Sequence, residues 1–179
     1  MSPQRGRWGV LAVALALACA AGGFLWSKRE GAPLGYETVG ARVSQAGYIR
    51  GSGPNGARLS FSDGTRVDVS DGTHLRVTAV DSRGARLAIE GGHAALSVVR
   101  RPAGAWIVDA GPFVIRVTGT EFDVDWSTDD ESLNVSLYQG SLTVSGPPAP
   151  LGVMLRPGQR LSARQGRLSI EPLVQRHVR

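Results

Sequence analysis

The 179-residue sequence has one cysteine, Cys19, and it lies inside an N-terminal apolar run. An intramolecular disulfide is therefore impossible, and the rest of the chain has no thiolate to act as nucleophile or metal ligand. Histidine is scarce too. His74, His93 and His177 fall in separate segments, without the spacing that would put two of them on one metal. There is no serine-histidine-carboxylate order and no phosphate-cradling glycine loop. The expectation is a protein that is not an enzyme, with no catalytic residues, no cofactor and no metal, and without nucleic acid among its partners.

Charge is missing from Trp8 to Trp26, a run of nineteen residues. As a helix this run would span about 28 Å, near the roughly 30 Å hydrocarbon thickness of a bilayer. Arg5 and Arg7 precede it, Lys28, Arg29 and Glu30 follow it, and tryptophans bracket it. That distribution favours an uncleaved anchor with a cytoplasmic N-terminus and an exported remainder. Two other readings fit the same residues. Ala18-Cys19-Ala20 can be a signal peptidase site, giving a cleaved secreted protein, and Ala16-Leu17-Ala18-Cys19 is a loose lipobox that would make Cys19 a lipid anchor. The expected organisation is 1–7 cytoplasmic, 8–26 transmembrane, 27–35 linker, 36–170 a β domain and 171–179 a basic tail.

What the exported part has is glycine, 24 residues in the whole chain, with 10 prolines, and a hydrophobic fraction of 42% that is enough for one core. From Phe113 onward apolar residues alternate with polar ones: Phe113, Ile115, Val117, then Phe122, Val124, Trp126, then Leu133, Val135, Leu137, then Leu142 and Val144. A period of two is that of strands with one face in a core. The apolar set switches from odd to even positions across Gly119, so a bulge or corner is expected there, with Thr120 opening the next strand. Gly140 interrupts the pattern again. Thr128-Asp-Asp-Glu-Ser suits a hairpin loop between two antiparallel strands.

Upstream, Ser62-Asp-Gly-Thr and Ser70-Asp-Gly-Thr form a repeat of eight residues, each copy a turn followed by a short strand, and together stacked rungs or a meander. Asp63 with Gly64, and Asp71 with Gly72, are read as turn chemistry. From Ala85 to Val99, two alternating runs flank Gly91-Gly92 and read as a further hairpin. From Tyr36 to Arg50 the apolar spacing is irregular, and Gly51 to Gly56 is a loop by composition. Glu121, Asp123 and Asp125 share one strand face and read as a solvated surface, not a cation site. From Arg156 to Arg179 there are six arginines against Glu171 alone. Such a segment suits an acidic partner, an anionic membrane surface or a solvated tail.

The ordered set of Val117-x-Gly119-Thr120-x-Phe122-x-Val124, Val135-x-Leu137-x-x-Gly140-x-Leu142-x-Val144 and Leu155-x-Pro157-Gly158-Gln159 resembles the FecR-type periplasmic domain. Leu59-Ser-Phe-Ser-Asp63-Gly64-Thr-Arg-Val fits that family's opening motif. The resemblance covers roughly Tyr36 to Ala163. It departs at Ala95, where an aromatic is common. It implies an all-β fold of short strands, stacked as a twisted solenoid or packed as a sandwich, preceded by one N-terminal transmembrane helix in the inner membrane. It also implies structural roles for the motif residues. The function it implies is sensing or relay: a signal is taken from the periplasmic domain of an outer-membrane transporter, and a cytoplasmic sigma factor is controlled. Members that act on sigma factors carry a helical domain before the span. Here only Met1 to Arg7 precede it, so an anti-sigma membrane protein is the expected carrier of the message. Exposed strand edges could hold an envelope protein by strand addition. The competing expectation is a scaffold domain that binds a polymer or an assembly without signalling.

Overall fold

The computed structural model describes residues 31–43, 48–51 and 56–173. The expected span over 8–26, Cys19 and the last six residues of the basic tail lie outside the described residues. Among those described, no helix is long and apolar enough to cross a membrane.

The described chain is all strand. It opens with β1 (Tyr36–Val39), β2 (Ala41–Val43), β3 (Tyr48–Gly51), β4 (Ala57–Phe61), β5 (Arg66–Val69) and β6 (His74–Val80). The long β7 (Ala85–Val98) is followed by β8 (Trp106–Ala110), β9 (Phe113–Val117), β10 (Thr120–Ser127) and β11 (Ser132–Gln139). Last come β12 (Leu142–Gly146), β13 (Ala149–Leu155), β14 (Gln159–Arg164) and β15 (Arg167–Pro172). Three strands thus lie in Tyr36–Gly51, where the irregular spacing had shown no pattern. All three are short, β1 is largely exposed and β3 partly so, and alternation is weakest in such strands.

These strands form one hydrogen-bonded sheet that folds back on itself about β7 and nearly closes, barrel-like, into two facing layers. The first layer runs β1-β4-β5-β7-β10-β11-β14-β15, and the second β2-β3-β6-β7-β8-β9-β12-β13. All neighbours are antiparallel except β7 and β8, which are parallel. Between the layers lies one apolar core. Leu59, Val67, Leu96, Phe122 and Leu137 from the first layer meet Leu75, Leu87, Val108, Ile115 and Leu155 from the second. Aromatic rings bridge the gap, Phe61 edge-on to Trp106 at 4.8 Å and Phe113 to Trp126 at 6.1 Å. Each such ring contributes about 2–3 kcal/mol by burial, plus up to ~1.5 kcal/mol from the pairing.

The switch of parity across Gly119 follows from this architecture. In β9 the odd residues Phe113, Ile115 and Val117 are buried; in β10 the even residues Thr120, Phe122, Val124 and Trp126 are. A chain passing from one facing layer to the other reverses which side is inside, so the corner must consume one residue. Asp129 and its neighbours join β10 to β11 as an antiparallel hairpin, Ser127 opposite Ser132.

Gly91-Gly92 is not a hairpin turn. β7 continues through it as one strand, its first half pairing with β6 and β8 and its second half with β5 and β10. Parity flips here too, from Ala85, Leu87 and Ile89 to Ala94, Leu96 and Val98, because the strand bends from the second layer into the first. Gly-Gly permits a tight turn but does not require one. Thr73 packs so closely on Gly92 that a Cβ there would overlap the threonine.

Candidate partner-binding edge

The motif residues sit in corners or in the core. Asp63 and Gly64 form the β4–β5 turn: Asp63 Oδ1 accepts from the Thr65 N–H at 2.9 Å, and the Gly64 N–H donates to the Phe61 carbonyl at 2.9 Å. The Asp63 side chain is 3% exposed, and its Oδ2 faces Arg101 Nη1 at 3.8 Å. Arg101 also donates to the Ser82 carbonyl at 3.2 Å, so a buried carboxylate helps hold the β7–β8 loop under the hairpin. Gly119, Thr120 and Gly140 form a second cluster in which two corners stack. Phe122 and Val124 are fully buried in β10. Pro157, Gly158 and Gln159 turn the chain from β13 to β14: the Gly158 N–H donates to the Leu137 carbonyl at 2.8 Å, and Gln159 Oε1 accepts from the Arg156 N–H at 2.9 Å.

The turn reading of the Asp-Gly-Thr repeat overlooked its threonines. Thr65 and Thr73 are wholly buried; Thr73 ties its turn to β7, and Thr65 ties its own to the residue that follows β7. Thr65 Oγ1 accepts from the Val99 N–H at 3.1 Å. Thr73 Oγ1 donates to the His93 carbonyl and accepts from the His93 N–H, both at 3.0 Å. The signal was present as the fourth residue of each copy. The two copies differ in use, since the first closes a hairpin within one layer and the second carries the chain across.

The outward face of the first layer is polar and largely satisfied by its own groups. Tyr138 donates to Asp123 at 2.7 Å, and that bond, helped by partial burial, pushes the phenol up to about 12. Arg160 donates to Ser136 at 3.0 Å, Ser162 to Asn134 at 2.8 Å, and His93 Nδ1 lies 3.9 Å from Asp125. The hydroxyls of Ser127 and Ser132 hold the Asp130 carboxyl below the usual range, with Arg164 adding to the effect at 3.0 Å. On the second layer Arg86 grips Asp109 through two bonds of 2.6 and 2.9 Å, which raises the guanidinium further. Among the described residues no group of three or more His, Cys, Asp or Glu is placed to hold a metal ion.

The open features are strand edges. β1, β2, β13 and β15 each pair along one side among the described residues. Edges are commonly protected by charge, shortness or proline. β1 has four residues and Glu37, β2 has three residues, and β15 has Arg167, Glu171 and Pro172. β13 has a proline, Pro150, only near its start, leaving Leu151-Gly-Val-Met-Leu155 without a charge. Leu151 is 99% exposed and Met154 66%. Met154 stands opposite Thr143, beyond which Arg116 is the nearest cation in register.

The described residues thus form a two-layer β domain with β13 as an edge strand whose run Leu151–Leu155 has no charge. The family model described as FecR protein matches residues 51–143, and the chain belongs to the FecR family. Among solved structures, two crystal structures of a candidate anti-sigma factor from Parabacteroides distasonis ATCC 8503 are similar, at 2.50 Å and 1.65 Å resolution. Each is 22% identical with a TM-score of 0.58, covering 78% and 76% of this chain. The chain spans 60% and 59% of those longer chains. No curated protein matches.

Proposed function

We propose that this chain is a membrane-tethered sensing or relay domain of the FecR type, and that it acts by taking an extended segment of a protein partner onto β13. The observation that carries the reading is the uncharged run Leu151–Leu155 on an edge strand, with Leu151 and Met154 exposed. Main-chain bonds along such an edge provide affinity, and alternate side chains provide selectivity. Family membership and the likeness to a candidate anti-sigma factor support a role in transcriptional control. On this reading the chain is regulatory and not an enzyme. The partner is the signalling domain of an outer-membrane transporter or an anti-sigma membrane protein. Residues 8–26 hold the chain in the inner membrane, with the β domain in the periplasm; the charged flanks of the run support that placement.

The test is site-specific photo-crosslinking in intact envelopes, with the crosslinker at Leu151 on β13 or at Ser169 on β15. Adducts to a transporter or to a sigma-regulatory protein are expected from Leu151 and not from Ser169. Equal adducts at both sites, or none at Leu151, would remove strand addition at β13.

A further inference from the structure

The described chain comes in beside the β4–β5 hairpin. The Leu34 N–H donates to the Asp81 carbonyl at 3.1 Å, the Gly35 N–H to Ser62 Oγ at 3.1 Å, and the Ser62 N–H to the Gly35 carbonyl at 2.9 Å. These bonds fix the end of the domain from which the linker leaves. The register places the β6–β7 turn, the β7–β8 loop, the stacked corners at Gly119 and Gly140, and the β13–β14 corner at that same end.

Charge is distributed unevenly between the two ends. The linker end exposes Arg66, Arg83, Arg100 and Arg156. Arg83 pairs with Asp81, while Arg66, Arg100 and Arg156 form no ion pair among the described residues. Asp63 is buried, and Glu121 and Glu171 point outward from strands nearby. The far end carries Asp71 in the β5–β6 corner and Asp129, Asp130 and Glu131 in the β10–β11 hairpin, against Arg50 beside the β5–β6 corner and Arg167 in the β14–β15 turn. There Arg164 answers Asp130. The chain also departs at the linker end, where the Leu173 N–H donates to the Gly158 carbonyl at 2.7 Å.

We propose that this basic end rests on the anionic phospholipid headgroups of the membrane. The inference depends on the tether reading above. Residues 27–33 reach about 25 Å at full extension, so a tethered domain cannot move far from the surface. Cations brought within a Debye length, about 8 Å at physiological salt, are drawn to anionic lipid. An acidic protein would fit the same charges, but the linker brings lipid to this end whatever else is present. Docked in this way, the domain turns Leu151, which lies toward the far end of β13, away from the bilayer.

The full-length chain with Cys19→Ser, and a fluorophore on Ala103→Cys at the basic end or Thr128→Cys at the acidic end, is mixed with phosphatidylcholine vesicles carrying a headgroup quencher, with and without phosphatidylglycerol. Quenching at 103 is expected to exceed that at 128 several-fold when phosphatidylglycerol is present. The excess should shrink in high salt, without phosphatidylglycerol, and in the triple variant R66Q/R100Q/R156Q. A chain that fails to float with the vesicles removes the tether and the inference together. Equal quenching at the two sites, or an excess indifferent to both phosphatidylglycerol and salt, overturns the lipid contact and leaves the tether intact. Because lipid composition and salt are varied on the parent protein, the test survives a triple variant that does not fold.

Discussion

Gly119 and Gly140 lie back to back: a Cβ on Gly140 would overlap the carbonyl oxygen of Gly119, and Thr120 Oγ1, next in the chain, donates to the Ser141 carbonyl at 3.1 Å. The corner into the first layer and the corner out of it are therefore one joint. Gly119 has φ 96°, and a Cβ there would strike Arg100. Both strain and overlap penalise a side chain at this point.

Gly119→Val is accordingly expected to cost about 3 kcal/mol or more, above the ~1 kcal/mol typical of point substitutions. Thr128→Val, on the exposed hairpin loop, should stay within about 0.5 kcal/mol. Chemical denaturation of the two variants makes the comparison. Equal losses would mean that the joint bears no strain.

Thr73 supplies a test of the clamp on β7. Thr73→Val keeps the shape but leaves the part-buried N–H of His93 without its acceptor, while the His93 carbonyl keeps the Ser70 N–H at 3.1 Å, a loss of about 1–3 kcal/mol. Thr73→Ser keeps the hydroxyl and should lose less. If serine proved as damaging as valine, packing would outweigh the hydrogen bonds.

Phe122 lies at the centre of the core with no exposed surface. Phe122→Ala should cost about 3–5 kcal/mol through lost burial and an unfilled cavity. An unchanged melting temperature would contradict its position between the layers.

Tyr138 links the outward face of the first layer to pH. Its folded value is raised from 10.0 to about 12 by the bond to Asp123. The stabilisation from that bond is thus complete below pH 10.0 and disappears as pH rises toward about 12. The phenolate absorbance assigned by difference from Tyr138→Phe should appear near pH 12, and Asp123→Asn should move it down toward 10.0. Ionisation near 10.0 in the parent protein would show that the hydrogen bond does not persist in solution.

Much of the core could be read from alternation alone. Phe113, Ile115, Val117, Phe122, Val124, Trp126, Leu133, Val135, Leu137, Leu142 and Val144 are all buried. The period of two depends only on one face being inside, so it survives without knowledge of the partners. Gly91-Gly92 was misread because a parity switch with glycine marks a reversal of the inside face, and both a hairpin and a crossing produce one. Only the pairing of β7 with four strands tells them apart. The exposed run in β13 was hidden for a related reason. Being an edge is a property of the sheet order, not of the residues, so nothing in Leu151–Leu155 announces it.

β7 is the strand through which both layers must form. Its halves supply a neighbour to β6 and β8 on one side of the core and to β5 and β10 on the other. Neither layer can open without tearing its partner, so the domain has no natural line along which to come apart in stages. Native-state amide exchange along Leu87, Ile89, Ala94 and Leu96 would then report a single rate-limiting event, loss of the entire domain. A polypeptide severed at the bend would yield two pieces, each with a ragged margin where the other half of β7 had been.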